Sequence, residues 1–389
     1  MALAITSALR PQPAVAPAIT DLSLADLTAA LSAHGVPAFR ARQLFRGVHH
    51  RHVRDWGDLT DLPSGLRARL AEMYRLTTLE VRTEQRSTDG TAKLLLGAHD
   101  GQAIETVFIP ARVAGGRGQA SERLTVCVSS QAGCALACAF CATGQMGFAR
   151  DLSAGEIAEQ VYRAEVPGEA RRVDNVVFMG MGEPLANLEA VLRAIRLLED
   201  PIGYGFSPRR VTVSTSGLVP EIERLANENL EVRLAVSLHA PNDAIRSHLM
   251  PINRRYPIAD LLRAARAYAD RSGRRVSYEY VMLDGVNDAP SHADELARLL
   301  RGEHAHVNLI PYNQTFSGFQ MSPPERIRTF AARLRSAGVA ATVRTSRGQD
   351  IAAACGQLKA ENQRAMRVQA ESAEGRARVT PGAAATAAP

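Results

Sequence analysis

Four of the five cysteines lie within residues 127–141, in the stretch CVSSQAGCALACAFCATGQ, and the fifth, Cys355, stands alone in RGQDIAAACGQL. Cys134, Cys138 and Cys141 form a C-x3-C-x2-C pattern. Three thiolates on one loop can bind a soft metal. A structural zinc site usually brings two C-x2-C or Cys/His pairs, and no second pair follows here. A cubane [4Fe-4S] cluster normally takes four cysteines, so three would leave one iron open to another ligand. The plain alternative, three buried unreactive cysteines, fits poorly with a polar Gly/Ala-rich loop at this spacing.

The elements around the loop can be read from hydrophobic periodicity. After residue 123 the β-branched strands LTVCVSS, NVVFMGMGEP, RVTVSTSG, VRLAVSLHA, VSYEYVML and HVNLIPYN alternate with helical stretches such as NLEAVLRAIRLLED and SHADELARLLRG. Six βα units imply a parallel sheet in an α/β fold, and the cysteine loop follows its first strand. Several strands end in polar or glycine-rich segments, where such folds place their active sites. A further helix, PERIRTFAARLRSAG, and a strand, VAATVRTS, lead to Cys355.

Ahead of this series, residues 21–75 read as a small helical domain, with Asp21 and Ser23 as caps. Residues 76–122 switch to period-two segments such as TAKLLLG and AIETVFIP, a small β segment of short hairpins and a linker. The core domain is expected over 123–360, between an Ala/Pro-rich disordered leader (1–20) and an Ala-rich disordered tail (361–389). The leader lacks the basic start of an export signal. No apolar run reaches the roughly 18 residues of a membrane span. These features lead us to expect a cytoplasmic protein whose thiols stay reduced, with no membrane partner.

The chain has 389 residues, 46% hydrophobic, and a formal charge of +6. That charge permits a polyanionic partner without demanding one. Residues 39–56, FRARQLFRGVHHRHVRDW, interleave arginines and histidines with Phe39, Phe45 and Trp56. Cations can meet phosphates there while aromatics stack on bases, or the aromatics can be core and the arginines merely solvated.

The loop, with Phe140 immediately before its third cysteine, resembles the signature of the radical S-adenosylmethionine (SAM) enzymes. Further motifs in order, VSSQAGCALACAFCATGQMGF, MGMGEPLANL, VTVSTSG, SLHAPND, MPINRRYP, EYVMLDGVND, LIPYN and RGQDIAAACGQL, resemble the RlmN family of adenosine carbon-2 RNA methyltransferases over about residues 21–360. The resemblance implies a partial (β/α)6 radical-SAM barrel and a [4Fe-4S] cluster on Cys134, Cys138 and Cys141. The open iron of that cluster would chelate SAM, and an electron from it would cleave SAM to a 5′-deoxyadenosyl radical. SAM contacts are implied for Gly182, Glu183, Ser214, Ser237, Leu238, His239 and Asn313. Taken alone, Glu183 could be a helix-start carboxylate and His239 a satisfied core histidine.

Carbon 2 of adenine is electron-poor, so it cannot attack the electrophilic methyl of SAM, whereas a carbon radical can add to it. The methyl must first be held on an acceptor, and a thiolate is competent for that polar transfer. The resemblance makes Cys355 the acceptor. One SAM would methylate it and a second would supply the radical, two SAM per turnover. Cys127 matches the family's resolving cysteine, which releases product by a transient disulfide with Cys355, and Glu105 matches its proton acceptor. By themselves Cys127 reads equally as a small apolar strand residue and Glu105 as an exposed strand carboxylate.

The implied partners are 23S rRNA at adenosine 2503, tRNA at adenosine 37, and an electron donor such as flavodoxin or ferredoxin, with the protein a monomer. An adenine must leave its stack before carbon 2 can be reached. The helical N-terminal region is the expected RNA-binding accessory domain. Two alternatives stand beside this reading. One is a Cfr-like enzyme that methylates carbon 8 of the same adenosine. The other is a non-catalytic RNA-binding protein with a structural zinc on the three cysteines.

Overall fold

The computed structural model describes residues 16–114, 120–164, 172–315, 317–353 and 357. Residues 1–15, the tail and Cys355 itself lie outside the described residues, whereas Ala18, Ile19 and Thr20, expected in a disordered leader, are buried, the last two in the turn Ile19–Asp21. Three helices open the chain: α1 (Leu24–Ser32), α2 (Ala38–His49) and α3 (Ser64–Met73). Ser23 caps α1 in a reciprocal box with Asp26, satisfying two backbone donors that the helix start would otherwise orphan.

Four strands follow, β1 (Leu79–Arg86), β2 (Ala92–Ala98), β3 (Ala103–Ala114) and β4 (Ala120–Cys127), paired antiparallel in that order. The cysteine loop is framed by a small antiparallel pair, β5 (Gln131–Gly133) and β6 (Phe148–Asp151), with the short helix α4 (Ala142–Gln145) between them. Then come α5 (Ala154–Tyr162), β7 (Asn175–Phe178), α6 (Leu188–Glu199), β8 (Val211–Thr215), α7 (Val219–Ala226) and β9 (Arg233–Ser237). The series closes with α8 (Asp243–Leu249), α9 (Ile258–Ser272), β10 (Val276–Met282), α10 (Pro290–Leu299), β11 (Ala305–Pro311), α11 (Pro324–Ser336) and β12 (Ala341–Val343).

One mixed sheet of ten strands results, in the order β1-β2-β3-β4-β7-β8-β9-β10-β11-β12, parallel from β4 onward. The expected parallel series is present, and β12 extends it by one strand. Residues 76–122 form the expected antiparallel hairpins, but not as a separate unit. Their strands continue the sheet, because β4 pairs antiparallel with β3 on one edge and parallel with β7 on the other. Glu105 on β3 is thereby one strand away from Cys127 on β4.

Strand alternation sorts the two faces. Val176 and Phe178, Val211 and Val213, Leu234 and Val236, Tyr278 and Tyr280, and Val307 and Leu309 belong to the main core. The opposite phase carries Met179, Ser214, Ser237, Glu279 and Ile310, which line a cavity at the carboxyl ends of the strands.

The N-terminal helices share the main core with the barrel. Helix α5 is buried along its length between them and the sheet. There His49 Nδ1 and the Tyr162 hydroxyl share a hydrogen bond of 2.7 Å. Of the expected stacking aromatics, Phe45 is core, Trp56 is packed against the core, and Phe39 is 56% exposed with the Arg40 guanidinium over its ring.

Candidate active site at the strand ends

The cysteine loop owes its shape to close backbone approaches. Gly133 has φ +81°, and a Cβ there would meet the Gly147 carbonyl oxygen at 2.1 Å, so only glycine fits the turn into the loop. The Cys134 N–H donates to that same carbonyl at 2.9 Å, and the Ala139 N–H donates to the Leu249 carbonyl at the end of α8 at 2.8 Å. The loop is thus tied to β6 on one side and to α8 on the other.

Cys134, Cys138 and Cys141 share one wall of a cavity of about 190 Å³. Burial pushes the Cys134 thiol up to about 11, and burial together with the charge of Cys141 and Cys134 raises Cys138 further. Buried thiols in this state become thiolates only when a cation joins them. The donor set fits a positively charged iron–sulfur centre. Among the described residues, no three His, Cys, Asp or Glu side chains converge to hold a single metal ion.

The loops after successive strands complete the ring. Gly182, Glu183, Ser214, Ser237, His239 and Asn313 all line the cavity. Leu238 does not; it follows the outward phase of Leu234 and Val236 and is buried in the main core. Gly182 has φ +99°, and a Cβ there would sit 2.5 Å from the Gln131 Cβ, so the turn after β7 depends on glycine.

The Glu183 carboxylate accepts from the Ser216 N–H at 2.8 Å, the Ser216 hydroxyl at 2.6 Å and the Leu185 N–H at 3.1 Å. It stitches the β7 loop to the β8 loop at the cavity edge, and burial nevertheless raises its pKa.

His239 has φ +57°, a strained conformation for a non-glycine residue, of the kind that clusters at functional sites. Its Nδ1 accepts from the Val281 N–H at 3.0 Å, which leaves the proton of the neutral ring on Nε2. Burial, then the nearby Arg246 charge, lowers its pKa to about 3. Phe140 meets the ring edge-on at 4.8 Å between centroids.

Sequence reasoning missed two residues. Arg246 is 0% exposed and donates to the carbonyls of Ser216 (2.6 Å), Ser237 (3.1 Å) and Leu238 (3.2 Å), and to Asn253 Oδ1 (2.9 Å). It locks the β8 and β9 loops together, and its place between SLHAPND and MPINRRYP was the only signal. Glu279 lies inside the motif EYVMLDGVND. Its Oε1 accepts from Asn308 Nδ2 at 2.8 Å, while its buried Oε2 lines the cavity with no hydrogen-bond partner among the described residues. An orphaned buried acceptor beside serine hydroxyls and an imidazole N–H fits a ligand carrying hydroxyl and ammonium groups, as SAM does.

Neither Cys127 nor Glu105 lines this cavity, but Cys127 reaches its border through Met179. Cys127 is buried opposite Val107 and clusters with Val107 and Ala353, against which Ile351 and the cavity-lining Met179 pack. Glu105 is 0% exposed, contrary to a solvated strand carboxylate, and lies 3.7 Å from the Lys93 ammonium. Cys355 falls outside the described residues, but Ala353, two residues before it, belongs to the same small buried cluster as Cys127. Gln349 Nε2 donates to Asn313 Oδ1 at 3.1 Å, tying that segment to the cavity rim.

Residues 128–300 match the model of the radical SAM superfamily, and residues 18–76 match the ribosomal RNA large subunit methyltransferase N-terminal domain. A dual-specificity RNA methyltransferase RlmN of Anaeromyxobacter dehalogenans is 50% identical, covering 89% of this chain and 92% of its own length. Its namesake in Alkalilimnicola ehrlichii is 54% identical, over 83% of this chain and 88% of its own.

The chain belongs to the RlmN family. A radical SAM methyltransferase structure from Sphaerobacter thermophilus superposes with a TM-score of 0.82 at 51% identity, covering 88% of this chain and 98% of that one. Membership of the RlmN family within the radical SAM superfamily implies a [4Fe-4S] cluster and SAM as cofactors. It makes the chain a SAM-dependent RNA methyltransferase. No helix among the described residues is long and apolar enough to cross a membrane.

Proposed function

We propose that this protein methylates carbon 2 of adenosine 2503 in 23S rRNA and of adenosine 37 in some tRNAs, acting as a cytoplasmic monomer fed by flavodoxin or ferredoxin. The observation that carries the reading is that Ala353, two residues before Cys355, shares a buried cluster with Cys127, against which packs Met179 from the cavity that the three loop thiols line. Cys134, Cys138 and Cys141 hold the cluster, and Gly182, Glu183, Ser214, Ser237, His239 and Asn313 surround SAM. Leu238 contributes through its backbone, its carbonyl held by Arg246.

When bound, the cluster and SAM supply a methyl group for a thiolate and a carbon radical that abstracts hydrogen, at a cost of two SAM per turnover. Cys355 carries the methyl as a thioether and tethers the adenine through it. Glu105 takes the proton lost from the ring carbon, and the one unpaired electron left on the adduct would be taken back by the bound cluster. The Cys127 thiolate then attacks the Cys355 sulfur: the S–C bond breaks, its electron pair leaves with carbon, which takes a proton to become the methyl group, and an S–S bond forms. The N-terminal helices, with the exposed Phe39 beneath the half-buried Arg40 guanidinium, present a surface for RNA.

The test is anaerobic methylation of a 23S rRNA fragment and of tRNA by reconstituted protein, mapped by nuclease digestion and mass spectrometry. Methyl at carbon 2 is expected, Cys355→Ala should abolish turnover, and Cys127→Ala should leave RNA covalently attached to the protein. Methyl at carbon 8, or free RNA from Cys127→Ala, would overturn the corresponding assignment.

A further inference from the structure

The chain draws its positive charge almost wholly from arginine: of 46 Lys plus Arg, only Lys93 and Lys359 are lysine. Lys93 sits on β2, 3% exposed. Its ammonium lies 3.7 Å from Glu105 Oε1 and donates to the Ala352 carbonyl at 3.2 Å. Burying an ammonium costs several kcal/mol, on the order of what unpaired buried ions incur, unless such partners are present. An arginine fork would not fit as a compact point charge between one carboxylate and one carbonyl.

Its second partner is itself strained. Ala352 adopts φ 48°, ψ 44°, a left-handed conformation that is unfavourable for an alanine. The turn leading to it is clamped from the β1–β2 connection. The Asp350 carboxylate accepts from the Ser87 hydroxyl at 2.6 Å and the Thr88 N–H at 3.1 Å, and the Gly348 N–H donates to Asp89 Oδ2 at 3.0 Å. Lys93 adds a tie at the Ala352 carbonyl, three residues before Cys355.

We propose that Lys93 is a positioning residue that sets the spacing between the Glu105 carboxylate and the segment bearing Cys355, and keeps that buried carboxylate anionic for its proton transfer. The inference rests on Glu105 acting as the proton acceptor. In that step the ring C–H bond breaks, its electron pair stays on the ring and the proton passes to a Glu105 oxygen; Lys93 gains and loses nothing. The spacing matters only once adenine is tethered, so loading of methyl onto Cys355 is independent of it.

The experiment follows Cys355 methylation by mass spectrometry and RNA–protein adduct on denaturing gels, in full-length reconstituted protein with a 23S rRNA fragment. Lys93→Met, Lys93→Arg, Glu105→Gln and the Lys93→Met/Glu105→Gln double variant are compared with the parent. Lys93→Met is expected to load methyl within about twofold of the parent yet release product at least about tenfold more slowly, with adduct accumulating. Lys93→Arg should recover part of that loss, and Lys93→Met should add nothing in the Glu105→Gln background, since the two act through one group. Equal slowing of loading and release, or multiplying losses in the double variant, would overturn the proposal. Adduct from Glu105→Gln with normal release by Lys93→Met would remove the role of Lys93 alone. No adduct from Glu105→Gln would remove the role of Glu105, and this inference with it.

Discussion

At the scale of single residues, the three loop thiols stood out by their spacing, the carboxylates Glu105 and Glu183 only through the family resemblance, and the residues that support them not at all. Arg246 carries no chemistry of its own, and a lone arginine in an arginine-rich chain gives no sign of being fully buried. Its consequence is nonetheless large. Replacing it by Met would strand three carbonyls and the Asn253 oxygen in a dry interior, each unsatisfied acceptor costing about 1–3 kcal/mol. Arg246→Met is therefore expected to lower the melting temperature and to weaken SAM binding by more than about tenfold, because the loops carrying Ser216, Ser237 and Leu238 lose their common anchor. Arg246→Lys, with three donors on one nitrogen, should fall between the two. Thermal melting and equilibrium dialysis with SAM measure both effects; unchanged SAM affinity in a folded Arg246→Met protein would show that the loops hold their places without it.

Among the elements, the parallel series was readable from its alternation of β-branched strands and amphipathic helices, whereas the destination of β1–β3 was not. Period two identifies a strand but not its neighbour, and β4 alone decides the matter by pairing on both edges. The antiparallel extension brings Lys93 opposite Val107, itself opposite Cys127, and pairs Lys93 with Glu105. The contact of α2 with α5 was equally hidden, and it carries a pH dependence. Burial, followed by the charge of nearby His52, lowers the pKa of His49 to about 3 from its ordinary 6.5. The unfolded chain therefore binds a proton below 6.5 that the folded chain refuses, so stability falls as pH drops through the window from 6.5 toward 3. Between pH 6.5 and 5 this amounts to roughly 2 kcal/mol. Hydrogen exchange of the α2 amides should accelerate over that interval. His49→Gln, which cannot titrate, should flatten the acceleration, and an α2 protection independent of pH in the parent would contradict the assignment.

Across the whole molecule, the order of motifs marked the site and the hydrophobic patterning marked the barrel, but the dependence of one region on the other is a matter of packing that no local pattern encodes. The N-terminal region and the barrel meet at a glycine. A Cβ on Gly155, in the first turn of α5, would lie 2.7 Å from the Thr20 carbonyl carbon and 2.8 Å from the Asp21 nitrogen, both backbone atoms that cannot swing aside. The Gly155 N–H also donates to Asp21 Oδ1 at 2.7 Å, so the side chain of the entering turn caps the helix it touches. Gly155→Ala would gain helix propensity of about 1 kcal/mol on α5 but force the Ile19–Asp21 turn outward, and overpacking of this kind typically costs about 1–3 kcal/mol. The clash with backbone decides the sign. We expect Gly155→Ala to destabilise the protein and to speed proteolysis within residues 16–76 while leaving SAM binding intact, because neither Gly155 nor the Thr20–Asp21 backbone it meets lines the cavity. A limited-digestion time course run beside SAM dialysis measures both. Unchanged digestion would mean that the turn relaxes without cost, and joint loss of SAM binding would mean that the N-terminal region and the cavity are one cooperative unit.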